Sequence, residues 1–203
     1  MKILKRPMKG YDVEVLQRAL NIYPDGIFGK LTEEAVKEFQ RAHGLEPDGI
    51  VGEATWAALG TLALNKSKRS INEIIVHCTA SYEGQPMTVE AIRRMHIRER
   101  GWSDIGYHYV VYLDGSIHEG RNVNISGAHC TGHNTHSIGV VYVGGLLRNG
   151  KAADTRTPAQ KAGLLKLLKE LKRLYPKATI HGHREYANKA CPCFDAKAEY
   201  KTL

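Results

Sequence analysis

Residues 179–195 read T-I-H-G-H-R-E-Y-A-N-K-A-C-P-C-F-D, and the rest of the chain is organised around them. Two His, two Cys, a Lys and two carboxylates fall within these seventeen residues. Imidazole nitrogen and thiolate sulfur are the donors that a borderline-soft cation such as Zn²⁺ prefers. Thr179, Ile180 and His181 read as a short strand, and residues 183–191 as a loop able to fold a Cys back towards a His. His181 and His183 alternate on an extended chain and point the same way, so either can ligate. Cys191 and Cys193 leave the same choice open. A catalytic site uses three protein ligands and keeps one position free. The missing ligand must come from elsewhere, and His77 is the best candidate.

His77 ends the run I-N-E-I-I-V-H-C-T, which reads as a buried strand. Ile75, His77 and Thr79 share one face of it, at the carboxyl end where open α/β sheets tend to place ligands. Beyond it, Thr88 caps a helix running to about Arg100. Tyr107–Leu113 is a strand that turns through Asp114-Gly115 into a second, a hairpin signal. Ser137–Val143 is another buried strand. Thr157-Pro158-Ala159-Gln160 is a capping box with Pro at the first helical position. Leu164, Leu167, Leu168, Leu171 and Leu174 form one stripe there, and Pro176 stops the helix. Strands and helices in the order β-α-β-β-β-α-β predict an α/β (α+β) fold, a mixed sheet flanked by helices.

The first sixty residues are different. D-G-I-F-G-K-L-T-E-E-A-V from Asp25 recurs as D-G-I-V-G-E-A-T-W-A-A-L from Asp48. Asp-Gly makes a turn in each copy, and Thr32 or Thr55 sits where an N-cap belongs. Helices are expected over 12–21 (capped by Asp12), 32–43 and 55–60. Val15, Leu16, Ala19, Leu20, Val36 and Phe39 would share a small core, with His43 at a helix end. The chain thus divides into a small all-α three-helix domain, 1–62, a polar basic linker, 63–70, and the mixed-sheet domain, 71–203.

Composition narrows the function classes. Hydrophobic residues at 42% and charged residues at 25% suit an ordinary globular protein. No stretch of eighteen apolar residues exists, so no membrane insertion is expected. The N-terminus is basic without a following apolar stretch, unlike a secretory signal peptide, so an extracytoplasmic target would need another route. The net charge of +8 is uneven: residues 66–203 carry twenty-one Lys/Arg against twelve Asp/Glu. That excess suggests an anionic partner: nucleic acid, a membrane surface or the bacterial wall polymer. No recognition helix or interleaved aromatics accompany the Lys-rich helix, so nucleic acid is not expected. Four Cys without a signal peptide favour metal or free thiols over a disulfide framework.

Two resemblances sharpen this reading. The paired D-G-I-x-G turns, A-V-x-x-F-Q and Thr55-Trp56 resemble the peptidoglycan-binding type 1 module over residues 9–61. V-H-C-T-A, G-Y-H-Y, G-A-H-x-x-G-H-N-x-x-S-I-G-V and H-R-E-Y-A-N-K-A-C-P-C-F-D resemble the zinc N-acetylmuramoyl-L-alanine amidases of the phage-lysozyme and peptidoglycan-recognition-protein superfamily, over residues 71–196. That resemblance implies zinc ligands His77, His183 and Cys191, with Tyr107 and Lys189 catalytic. His181 becomes a residue behind the ligands or in the core, and Cys193 a bystander, unless it is a rescue ligand or disulfide-bonded to Cys191. His129 of G-A-H is expected to line the cleft and contact substrate, or else to be a buried, hydrogen-bonded His. His108, His118, His133 and His136 are expected to be structural or on the surface, and Asn134 and Ser137 to shape a turn.

The implied function is a peptidoglycan hydrolase that cleaves the amide between the lactyl group of N-acetylmuramic acid and L-alanine through a zinc-activated water. A phage or prophage endolysin, made in the cytoplasm and reaching the cell wall through a holin or a dedicated exporter, fits; a monomer is expected. The rival is a wall-binding protein without activity, but such superfamily members tend to lack the ligand Cys, which this chain keeps as Cys191.

Overall fold

The computed structural model describes residues 3–59, 64 and 66–203. Two compact units are present, Met1–Asn65 and Lys66–Leu203. Gly60, the last residue expected in the third helix, and residues 62, 63 and 65 around the expected linker lie outside the described residues.

In the first unit the three helices are α1 (Tyr11–Ala19), α2 (Lys30–Ala42) and α3 (Glu53–Leu59). Their core is Leu4, Val13, Val15, Leu16, Phe28, Val36, Val51 and Trp56. Phe39, expected there, is half-buried and stacked on His43 at 3.9 Å between ring centroids. The three proposed caps are corrected. α1 and α2 begin after Gly10 and Gly29 with no side-chain cap, and Asp12 lies inside the first turn of α1. Thr32 and Thr55 are buried inside their helices because their hydroxyls are spent elsewhere.

The sequence repeat has its physical basis in that expenditure. Gln17 Nε2 donates to Asp25 Oδ1 (2.7 Å), Ile27 O (3.1 Å) and Thr32 Oγ1 (3.0 Å), while Gly26 N–H donates to Gln17 Oε1 (2.8 Å). One repeat later, Gln40 Nε2 donates to Asp48 Oδ1 (2.9 Å), Ile50 O (2.9 Å) and Thr55 Oγ1 (3.1 Å), while Gly49 N–H donates to Gln40 Oε1 (3.0 Å). Each buried amide pins one D-G-I turn to the following helix. Replacing Gln40 by Ala leaves several of these groups without partners, at about 1–3 kcal/mol for each one kept from water. Thermal unfolding of Gln40→Ala should therefore show the first unit destabilised by at least about 2 kcal/mol, with the second unit unchanged.

In the second unit, β1 (Glu73–Cys78), α4 (Val89–Arg100), β3 (Tyr109–Val111), β4 (Ile117–Glu119), β5 (Ser137–Tyr142), α5 (Pro158–Leu174) and β7 (Thr179–Gly182) follow the expected order. β2 (Ser81–Tyr82) and β6 (Gly145–Leu146) form a separate two-stranded sheet, and α6 (Ala196–Glu199) closes the chain. The main sheet runs β4-β3-β5-β1-β7, with only the β3–β4 hairpin antiparallel. This is the mixed sheet expected. The Thr88 cap and the Thr157–Gln160 capping box both form. The α5 leucine stripe is buried, and Gln160 Nε2 donates to Val143 O at 2.8 Å.

The far end of the expected linker does not hang free. Ser67 is buried, its N–H donating to Tyr175 Oη (2.6 Å) and its Oγ to Val123 O (2.7 Å). The Arg69 guanidinium donates to the carbonyls of Val123, Asn134, Thr135 and Ser137. Ser67 and Arg69 thus bond loop carbonyls, while Lys66, Lys68 and Ser70 between and beside them are exposed.

At the other end, Arg156 fastens α6. Its side chain is 1% exposed, forks onto Asp154 and Glu199, and lies 3.3 Å from the Phe194 ring centroid. Arg156 holds both carboxyls below their ordinary values of 3.8 and 4.5. Lowered folded-state values mean stability that is present above the ordinary range and lost as pH falls through it. Removing Arg156 would leave two carboxylates that still reach water, at 28% and 40% exposed, so the cost falls below the ~3–5 kcal/mol of a fully buried pair. Arg156→Met should therefore lower the unfolding midpoint at pH 7, and the gap to the unmodified protein should narrow as the pH falls below about 4.

Candidate metal centre

The sheet register builds the site. β1 and β7 run parallel with Val76 opposite Gly182, so the next residues, His77 still within β1 and His183 just past the end of β7, lie side by side. Their ring centroids are 4.6 Å apart. His183 opens a 3-10 turn (His183–Glu185), and Arg184 N–H donates to Cys191 O at 2.6 Å, which closes the loop back on itself. Cys191 Sγ then lies 3.8 Å from His77 Nδ1. One donor atom each from His77, His183 and Cys191 falls within 4.8 Å of the others.

That donor set fits a tetrahedral ion. With bonds of about 2.3 Å to sulfur and about 2.05 Å to nitrogen, two ligands on one zinc sit about 3.6 Å apart, close to the 3.8 Å between sulfur and nitrogen here. Protonation states favour ligation as well. Burial, reinforced by the neighbouring rings and by Lys189, keeps His77 well below its ordinary range, and burial with the Lys189 charge also lowers His183. Both imidazoles are therefore neutral at pH 7. Cys191 is lowered by hydrogen bonding from the Cys78 thiol and backbone N–H, the latter at 3.3 Å. A thiolate is thus favoured at Cys191 over its neighbours, since Cys78 is raised and Cys193 is pushed up to about 12 by burial.

His181 and Cys193 stand outside this group. His181 Nδ1 pairs with Glu185 Oε2 (2.8 Å) and Nε2 with Thr179 Oγ1 (2.9 Å). Cys193 is a free thiol 3.7 Å from Cys78 Sγ, donating to Gly145 O, with no disulfide to Cys191. The Tyr107 ring lies 5.2 Å from His77, and burial raises its phenol so that it stays protonated. Asn134 shapes its turn as expected, Oδ1 accepting from the N–H groups of His129 and Cys130 (2.9 Å each). His133 pairs with Glu73 Oε2, and His108 Nδ1 accepts from Gly139 N–H.

A cleft of about 390 Å³ opens beside the cluster, lined in part by His129, His183 and Lys189. Arg100, Trp102 and Tyr186 also line it, and sequence reasoning does not single them out. One signal was available: Gly101 takes φ 66° to end α4, which presents Arg100 and Trp102 together at the rim, with the guanidinium 5.4 Å from the indole centroid. Tyr186 carries no such signal; its hydroxyl is held by Glu73 Oε1 (2.8 Å), more than a hundred residues away. Among the described residues that line the cleft none is acidic, whereas Arg100 and Lys189 are basic.

Comparison with known proteins agrees with this geometry. Residues 67–194 match the N-acetylmuramoyl-L-alanine amidase family, and residues 9–59 match a peptidoglycan binding domain. The endolysin of Escherichia phage T7 is 42% identical over 132 residues, 65% of this chain and 87% of that protein. The endolysin of Enterobacteria phage K11 is 38% identical over 135 residues, 66% of this chain and 89% of that one. Among solved structures, the Ph2119 endolysin from the Thermus scotoductus MAT2119 bacteriophage aligns with a TM-score of 0.54 at 33% identity, over 63% of this chain and 80% of that one. The amidase LysC from Clostridium intestinale URNW aligns with a TM-score of 0.54 at 28% identity, over 68% and 91%. With more than half its length in that match, the chain belongs to the N-acetylmuramoyl-L-alanine amidase family.

Proposed function

We propose that this chain is an endolysin-type hydrolase of bacterial peptidoglycan, in which His77, His183 and Cys191 hold a zinc ion. The bond cut is the amide between the muramic lactyl group and L-alanine of the stem peptide. One observation carries this reading: two imidazoles and a cysteine sulfur, from distant parts of the chain, converge within 4.8 Å beside an open cleft. Bound there, zinc would polarise the scissile carbonyl and supply a water acidic enough to ionise near pH 7.

The chain's own residues divide the remaining work. Lys189, exposed at the cleft rim, places an ammonium where negative charge develops on the carbonyl oxygen. Tyr107 keeps its proton at neutral pH and so offers a hydrogen bond to the reacting oxygen. Arg100 and Lys189 give the cleft a cationic rim suited to a stem peptide that carries carboxylates. Residues 1–62 act as a wall-binding module that keeps the hydrolase, residues 66–203, at high local concentration on an insoluble polymer.

Incubation with purified cell wall should release N-terminal L-alanine and free lactyl groups. A chelator should stop the release and added zinc restore it. Cys191→Ser should lose both bound zinc and activity. Cys193→Ser should keep both; the reverse pattern in the two variants would reassign the ligand. Lys189→Met should keep its zinc and fall about 10²–10³-fold in kcat, the usual cost of losing one oxyanion-stabilising group.

A further inference from the structure

His129 is nearly buried, at 8% exposed, and both its ring nitrogens are engaged by protein. Nδ1 lies 3.1 Å from His77 Nε2, and Nε2 lies 3.3 Å from Ser137 Oγ. Ser137 Oγ in turn donates to the His133 carbonyl at 2.7 Å. This chain of bonds has a direction, because its last member can only accept. Ser137 gives its one proton to that carbonyl and so must accept from His129 Nε2–H. His129 Nδ1 is then the acceptor, and the proton it receives is on His77 Nε2. The His77 lone pair is left on Nδ1, the atom 3.8 Å from Cys191 Sγ.

The ring that relays this polarity is tightly seated. A Cβ added at Gly127 or at Gly139 would lie 2.4 Å from His129 Cδ2, so two glycines make the slot. Asn134 Oδ1 fixes the backbone on either side by accepting from His129 and Cys130 N–H. Gly139 faces Ile75 across the β1–β5 ladder, two residues before His77. The slot and the ligand are thus built by the same pair of strands.

We propose that His129 is a positioning residue, which fixes the His77 tautomer so that Nδ1 is ready for zinc before any metal arrives. This replaces the substrate contact expected from its sequence motif, because no ring nitrogen remains for a substrate. The proposal rests on His77 being a zinc ligand.

The test begins with metal-free, unmodified protein. Nitrogen-15 shifts of the imidazoles should show His77 protonated on Nε2 and His129 also on Nε2. A proton on His77 Nδ1 would overturn the proposal. Zinc affinity, measured by competition with a chelator, should fall about 10–100-fold in His129→Leu. His129→Asn, which can present Oδ1 where Nδ1 was, should recover to within about threefold. Ser137→Ala, which leaves His129 in place, should weaken zinc binding and mix the His77 tautomers. Unchanged zinc affinity and an unchanged tautomer in His129→Leu, with a raised KM for soluble wall fragments, would make His129 a substrate contact instead. Undiminished zinc in His77→Ala would overturn the ligand assignment itself, a failure separate from one in which His77 binds zinc and His129 has no influence.

Discussion

The pairing of β1 with β7 is the constraint on which the catalytic unit depends. Both strands run the same way, and their ladder stops with Val76 opposite Gly182. One more residue on each gives the two imidazoles. Side chains alternate across a sheet, so a slip of one residue would turn His77 to the opposite face and separate it from His183. β5, on the other side of β1, contributes Gly139 to the slot for the His129 ring. Three adjacent parallel strands therefore set the positions of the paired imidazoles and of the ring behind them. Cys191 is carried by the loop that His183 opens, and that loop is closed by a backbone hydrogen bond and backed by the Arg156–Phe194 stack.

The electrostatics follow from how deeply each group sits. Burial keeps the imidazoles neutral, and Cys191 is favoured as a thiolate because Cys78 donates to it. The same contact makes Cys78 harder to ionise, so three closely placed sulfurs do not share one role. Cations gather at the cleft rim, where solvent meets them, and the carboxylates of Glu73 and Glu185 are spent on His133, Tyr186 and His181. What the cleft offers an incoming molecule is positive charge beside neutral donors.

Much of this was legible in the sequence because it is local. The Thr157–Gln160 box, the Asp114-Gly115 hairpin and the α5 leucine stripe each depend on residues a few positions apart. The eight-residue spacing of His183 and Cys191 is of the same kind, and the likeness to zinc amidases supplied the choice between alternatives. Where reading failed, the deciding partner was remote or the alternatives were chemically alike. Thr32 and Thr55 look like caps until Gln17 and Gln40 claim their hydroxyls. Phe39 is apolar at helical spacing, yet Phe28 and Trp56 fill the core. His129 sits in a motif that names a cleft, but only the fold shows that its two nitrogens point to a strand histidine and a serine.

The anchorage of Ser67 and Arg69 bears on how the catalytic part can be excised or grafted. A fragment cut where composition changes, at residue 71, would discard the guanidinium that gathers the carbonyls of Val123, Asn134, Thr135 and Ser137. Two of those four residues, Asn134 and Ser137, also support His129. A transplantable hydrolase therefore starts at residue 66 or earlier, and the junction open to redesign is shorter than its polar sequence suggests.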